Sequence, residues 1–168
     1  GEISLAHCGV LFLDELPEFS RRALEMLREP LETGAVEISR AAAKVRYPAA
    51  FQLVAAMNPC PCGYLGDPAT ECRCSPDRVA RYRDRISGPL LDRIDLFCDM
   101  PRLTPAELRQ ADSGEPSRCV RERVTATRER QHQRDGCCAA RLPPAAVERH
   151  AVLEAHAARL LDEACERL

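Results

Sequence analysis

The sequence predicts an α/β domain followed by an all-helical segment. Three observations carry that reading. Three apolar runs, residues 10–13, 51–57 and 94–100, have the length of strands. A helix-periodic stretch lies between the first two. After Pro101 the sequence turns charged and helical, with no strand pattern. At 168 residues the chain can form about one domain plus part of another, burying roughly 70% of its unfolded surface. An apolar share of 45% and a charged share of 30% exclude a disordered tail. No apolar run approaches the ~20 residues that cross a bilayer, and no secretory signal opens the chain, so no membrane partner is expected. The chain starts Gly1-Glu2-Ile3-Ser4 rather than with Met, and is expected to be part of a longer protein. Net charge is −2, Lys44 is the only lysine, Trp is absent and aromatics make up 4%, which argues against a general base-stacking platform.

Taken in order, Val10-Leu11-Phe12-Leu13 ends in Asp14-Glu15 and suits a strand buried on both faces of a parallel sheet. Ser20 can cap a helix in which Ala23, Leu24, Leu27 and Leu31 recur at helical spacing until Gly34 stops it. Residues 36–39 and 44–47 alternate apolar and polar side chains across a four-residue link, the pattern of a hairpin over 36–47. The run 51–57 reads as a second buried strand ending at Asn58-Pro59. A Pro-, Gly- and Cys-rich loop fills 59–76, an arginine-rich helix covers about 77–86, residues 90–93 form a short turn or helix, and 94–100 reads as a third strand. Residues 104–117, with Pro105, Gly114 and Pro116, are a linker or loose helix. A charged helix over 117–133 places Val120, Val124 and Thr127 on its inner side. Pro143-Pro144 opens further helix, with Val152, Leu153, Leu160, Leu161 and Ala164 at helical spacing.

An apolar strand that delivers two adjacent carboxylates to the carboxyl edge of a sheet is the arrangement nucleotide triphosphatases use. The first holds Mg²⁺ and the second polarises the attacking water, because phosphates bind at that edge. Asp14 and Glu15 fit it; a strand that merely ends in acids is the plainer reading. Asn58, an amide suited to orienting water or a γ-phosphate, ends the second run, although Asn before Pro is also an ordinary turn starter. Arg93, just before the third run, has the planar, always-charged fork that grips a neighbouring subunit's phosphate. A surface network of Asp92, Arg93 and Asp95 is the competing account.

Together, the strings from Gly1 to Phe19 (with Gly9-Val10-Leu11-Phe12-Leu13-Asp14-Glu15-Leu16-Pro17), from Gln52 to Gly63 and from Ser87 to Asp95 closely resemble the magnesium-chelatase-like AAA+ ATPases, in their ComM/YifB branch. The resemblance implies that Asp14 and Glu15 are the Walker B pair, Asn58 is sensor 1, and Arg93 is an arginine finger acting in trans. It implies ATP and Mg²⁺ as cofactors and a cytoplasmic bacterial homo-oligomer, a ring of six subunits. That ring is a helicase-like motor driving branch migration of branched or single-stranded DNA during natural transformation. No Gly-x-x-x-x-Gly-Lys-[Ser/Thr] occurs in the chain. By the resemblance, residues 1–101 are then the C-terminal half of a partial P-loop AAA+ core, a parallel sheet with flanking helices. Residues 102–168 are a linker and the first helices of an all-helical lid, without the second sensor arginine. The 168 residues alone are expected to be inactive, with an unpaired apolar edge on the second and third strands, between which the family places the P-loop strand. Three alternatives stay open: a chelatase-type motor acting on a protein and metal-insertion partner, a zinc-stabilised interaction module without its own activity, and a degenerate non-functional fragment.

Of ten cysteines, Cys60, Cys62, Cys72 and Cys74 fall within fifteen residues. Two close thiolate pairs can surround Zn²⁺ tetrahedrally, with Gly63 and Gly66 letting the loop fold back. Two disulfides, or four reduced metal-free thiols, are the competing readings; a reducing compartment favours structural zinc. Most of the other six cysteines read as small apolar residues, and the four histidines as surface or packing residues. The hairpin's Arg40, Lys44 and Arg46 can touch DNA phosphates, as pore hairpins of related helicases do, or can simply be solvated charges. The arginines at 78, 81, 83 and 85 alternate with Asp77 and Asp84 and read as a solvated or inter-subunit helix face.

Overall fold

The computed structural model describes residues 1–40, 43–109 and 114–167. It divides into two units, Gly1–Leu103 and Thr104–Leu168. The first opens with helix α1 (Glu2–Leu5) and strand β1 (Val10–Leu13). Helices α2 (Arg21–Glu25) and α3 (Arg28–Thr33) follow, then the antiparallel strands β2 (Ala35–Arg40) and β3 (Ala43–Pro48). Strand β4 (Gln52–Ala55), the cysteine loop, and helices α4 (Pro76–Arg83) and α5 (Gly88–Leu91) complete it. The second unit is helical: α6 (Pro105–Arg109), α7 (Ser117–Asp135), α8 (Pro144–His150) and α9 (Ala155–Cys165). This is the expected α/β region followed by a helical one.

Strands β1 and β4 pair in parallel, Val10 with Gln52 through Leu13 with Ala55. One face of this pair packs on the core of Leu16, Leu24, Leu27, Ile86 and Leu90, through Leu11 and Leu13. Burying each leucine contributes about 1.5–3 kcal/mol. The expectation of burial on both faces fails: Val10 and Phe12 on the opposite face are each 59% exposed. Four apolar residues in a row are compatible with two covered faces, but the element that covers the second must be present, and none is among the described residues.

The expected continuous helix from Ser20 is two helices. Ser20 does cap α2, accepting from the Ala23 N–H at 3.2 Å. Pro30, however, has no N–H for the Met26 carbonyl, and the chain turns at Met26-Leu27 before α3 begins. Gly34, at φ +67°, then ends α3 in the left-handed region where a glycine carries no Cβ penalty. The hairpin forms as predicted, in the register Val36–Tyr47, Ile38–Val45 and Ser39–Lys44. Its turn residues 41–42 lie outside the described residues.

The third expected strand, residues 94–100, is not a strand. Its backbone finds no neighbouring strand to pair with among the described residues, and Leu96, Phe97 and Met100 are 71–89% exposed. An extended apolar run supplies a strand's side chains, but pairing requires an adjacent edge. In α7 the predicted inner side is also absent: Val120, Val124 and Thr127 are all exposed. Part of the expected linker or loose helix at 104–117 falls on residues 110–113, outside the described residues; α6 precedes them. No helix among the described residues is long and apolar enough to cross a membrane.

Candidate functional site

The parallel pairing continues past β1 and β4. The Ala56 N–H donates to the Leu13 carbonyl and the Leu16 N–H to the Ala56 carbonyl, each at 2.9 Å. Asp14 and Glu15 stand between these two bonds, exposed, with Leu16 and Pro17 buried immediately behind them. Glu15 is left-handed (φ 51°, ψ 49°), an unusual conformation for a residue with a Cβ, costing about 1–3 kcal/mol. The Asp14 carboxylate accepts the Glu15 N–H at 2.9 Å, which helps hold that turn. Asn58, three residues beyond Ala55, lies past the same end of the strand pair. Tyr82 on α4 is buried against this end: burial pushes its hydroxyl above the usual range, opposed by a hydrogen bond with the Asn58 backbone. Two exposed carboxylates on a rigid turn form an oxygen donor set that suits Mg²⁺, which takes one or two carboxylates and keeps several waters.

Arg93 lies in the turn after α5, and its partners are within its own unit. One terminal nitrogen donates to the Glu32 carboxylate on α3 and the other to the Pro89 carbonyl. Its Nε is buried without a partner. The expected alternative network with Asp92 and Asp95 is replaced by Glu32, sixty-one residues away in sequence. None of the contacts of Arg93 reaches Asp14, Glu15 or Asn58.

On the hairpin, Lys44 and Arg46 occupy one alternating set, opposite Ser39 and Glu37 respectively, and both are exposed. Arg40 pairs with Ala43 in the other set, with Val36 and Ile38; its side chain lies outside what is described.

The cysteine loop is the most complete constellation. The sulfur atoms of Cys60, Cys62, Cys72 and Cys74 all lie within 4.8 Å of one another. Cys60 to Cys62 is 3.4 Å, Cys62 to Cys72 3.6 Å and Cys60 to Cys72 3.7 Å, and all four are free thiols. A tetrahedral ion with bonds of 2.3 Å sets its sulfurs about 3.8 Å apart, so the quartet forms a site able to hold a metal. Gly63 and Gly66 both have positive φ, the fold-back expected of them. A Cβ at Gly63 would stand 4.0 Å from the Asn58 side-chain oxygen, so the loop starts directly behind the strand end.

Thiol acidities are split. The Tyr64 backbone N–H draws Cys62 down to about 6. Burial opposes ionisation of Cys60, yet the Leu65 and Cys62 backbone N–H groups bring it below its ordinary value. The Cys74 N–H favours the Cys72 thiolate, but desolvation and the neighbouring Cys62 and Cys60 sulfurs outweigh it and push Cys72 up to about 12. Desolvation and Cys62 raise Cys74. Four like charges cannot crowd together without a cation, so two thiols ionise at the expense of two.

Mid-loop, the Asp67 carboxylate accepts the Ala69 and Thr70 N–H groups at 2.7 and 2.9 Å and pairs with Arg102 at 3.2 Å. Sequence reasoning missed Asp67, Glu32 and Tyr82; only Asp67 carried a local signal, Asp-Pro opening a turn. It also read most of the remaining cysteines as small apolar residues, whereas Cys8, Cys98 and Cys165 are exposed and Cys119, Cys137 and Cys138 half-buried. Cys138 instead meets His132 at 3.5 Å.

Comparison with known proteins gives a coherent set. The family model described as magnesium chelatase, subunit ChlI matches residues 1–108, and its C-terminal model matches 114–168. The uncharacterized protein YifB of Salmonella typhimurium is 50% identical over 165 residues, 97% of this chain and 32% of that protein. The competence protein ComM of Haemophilus influenzae is 51% identical over 170 residues, 100% of this chain and 33% of that protein. An uncharacterized protein of Mycobacterium tuberculosis is 49% identical over 134 residues, 80% of this chain and 26% of that protein. The chain spans about a third of the length of these relatives or less.

Proposed function

Because the chain belongs to the magnesium chelatase subunit ChlI family, we propose that it carries the hydrolytic edge of a cytoplasmic ATP-driven DNA motor. Asp14 holds Mg²⁺ and Glu15 polarises the attacking water. Asn58 orients that water or the γ-phosphate, and Arg93 reaches the nucleotide of a neighbouring subunit in a hexameric ring. The observation that supports this is the parallel pair β1–β4, which ends at Asp14-Glu15 on one strand and leads into Asn58 on the other. Mg-ATP supplies the phosphoryl group; the chain's own residues position water and stabilise charge. Arg93 must exchange Glu32 for phosphate when it works in trans. Residues 102–168 are the linker and first helices of the lid. The quartet Cys60, Cys62, Cys72 and Cys74 holds a structural Zn²⁺ that stiffens the loop behind Asn58. Arg40, Lys44 and Arg46 contact DNA phosphates, and the intact ring migrates DNA branches.

The test is the full-length protein with ATP, Mg²⁺ and a labelled four-way DNA junction. ATP-dependent branch movement is the expected result. ATP hydrolysis indifferent to DNA favours the chelatase-type motor, and the absence of any hydrolysis overturns the proposal.

A further inference from the structure

The second unit contains a nucleophile and a base that the motor reading does not use. Helix α7 ends at Asp135, and Gly136, at φ +72°, reverses the chain so that Cys137 and Cys138 return along the last turn of the helix. The Gln131 side-chain oxygen accepts the Ala139 N–H at 3.1 Å and pins the returning segment. The Cys138 sulfur therefore sits 3.5 Å from His132 Nε2. Cys138 is half-buried and His132 exposed, so small reagents can reach the pair. Its neighbour Cys137 has the same degree of burial but turns toward the Arg141 carbonyl at 3.8 Å. Asp135 is engaged by His150 at 2.8 Å and by Arg134 at 2.6 Å, which ties α8 to α7 without involving His132.

We propose that Cys138, with His132 as its base, is an oxidant-reactive thiol whose co-substrate is a small hydroperoxide. A thiol becomes a good nucleophile when a base within hydrogen-bond reach can take its proton. His132 Nε2 takes the Cys138 proton as the sulfur attacks the near peroxide oxygen. A sulfur–oxygen bond forms and the oxygen–oxygen bond breaks. The leaving hydroxide receives the proton back from His132 and departs as water. The thiol is oxidised by two electrons to a sulfenic acid and the peroxide is reduced. Nothing in this step depends on ATP or on the cysteine quartet.

The experiment treats the whole 168-residue chain with limiting hydrogen peroxide and the sulfenic-acid trap dimedone, then maps the label by peptide mass. Cys137, Cys98 and Cys165 serve as internal references without an imidazole partner. Cys138 is expected to carry roughly 5–10 times the label of Cys137. His132→Gln is expected to bring it down to the reference level with the circular dichroism unchanged. His150→Gln, which breaks the Asp135 tie but leaves the Cys138–His132 pair, should retain the labelling and so separates chemistry from loosening of the helices. Equal labelling of Cys137 and Cys138, or full labelling of Cys138 in His132→Gln, overturns the proposal. So does loss of labelling in His150→Gln to the same extent as in His132→Gln.

Discussion

The cysteine quartet and the carboxyl edge lie back to back, joined at Asn58 and Gly63, yet they are built in opposite ways. The quartet draws four ligands from one loop, and the sulfurs converge until their like charges suppress one another's ionisation. The edge draws on two strands, and its carboxylates face outward with their charge unopposed by any cation of the described residues. A metal centre of the first kind closes on itself. An open edge of the second kind is one wall of a site, and a second wall must complete it. All four ligands of the closed site lie within this chain, whereas the open edge stands without a second wall among the described residues.

The largest effect belongs to the open wall. In the full-length protein, Glu15→Gln keeps the shape of the side chain and removes the charge proposed to polarise water. ATP turnover should fall about 10²–10⁴-fold, measured as phosphate release, while nucleotide binding changes little. Arg93→Ala should likewise stop hydrolysis and spare binding. Normal turnover in Glu15→Gln would mean that the outward carboxylates are only the polar end of a strand.

Next comes the closed centre. Elemental analysis of the reduced, purified chain should find about one zinc per chain. Cys72→Ala, which removes a sulfur lying 3.7 Å from Cys60 and 3.6 Å from Cys62, should retain none after desalting. Glu15→Gln should leave the zinc content untouched, since the two sites share no ligand. Full zinc in Cys72→Ala would break the comparison, because the centre would no longer be the four-sulfur cage.

A smaller, graded effect follows from the divided acidities. Zinc takes thiolates, so binding expels whatever protons the thiols still hold. At pH 7.5 Cys62, at about 6, has none to give, whereas Cys72, at about 12, and the raised Cys74 give theirs. Calorimetry in buffers of different ionisation enthalpy should therefore report about two to three protons per zinc rather than four. As pH falls through 6, Cys62 regains its proton and zinc affinity should drop about tenfold more per unit. Release of four protons at pH 7.5 would show that the loop does not prearrange its thiolates.

The two sites also differ in how far the sequence disclosed them. The cysteines were legible because all four ligands lie in one short stretch, and the fold has only to turn at Gly63 and Gly66. Val10 to Leu13 with Asp14-Glu15 was legible as a strand and its end, but not the open face at Val10 and Phe12, since coverage is a property of the neighbour. Residues 94–100 failed for the same reason: apolar content does not supply the adjacent edge. The break between α2 and α3 was readable in Pro30 and was overridden by the periodicity of the leucines around it. Glu32 with Arg93, and His132 with Cys138, carry no pattern at all, because each meeting is decided by a reversal of the chain rather than by spacing.

The smallest expected effect lies within the cysteine loop, at Asp67. Its carboxylate is nearly covered and accepts two backbone N–H groups, whereas its partner Arg102 is mostly exposed, so screening by solvent leaves the ion pair weak. The Ala69 N–H, followed by Arg102 and Thr70, holds the carboxyl below its ordinary 3.8. A carboxyl with a lowered folded value favours the folded loop above the ordinary carboxylate range and loses that contribution as pH falls through the lowered value. Carboxyl-carbon titration by NMR should place the Asp67 midpoint under 3.8. Asp67→Asn keeps an oxygen for the two N–H groups and discards only the charge. Amide exchange at Ala69 and Thr70 should then rise by no more than a few-fold, with zinc retained. A large rise accompanied by loss of zinc would make Asp67 part of the centre itself. The closed site would then depend on Arg102 at the far end of its unit as well as on its own loop.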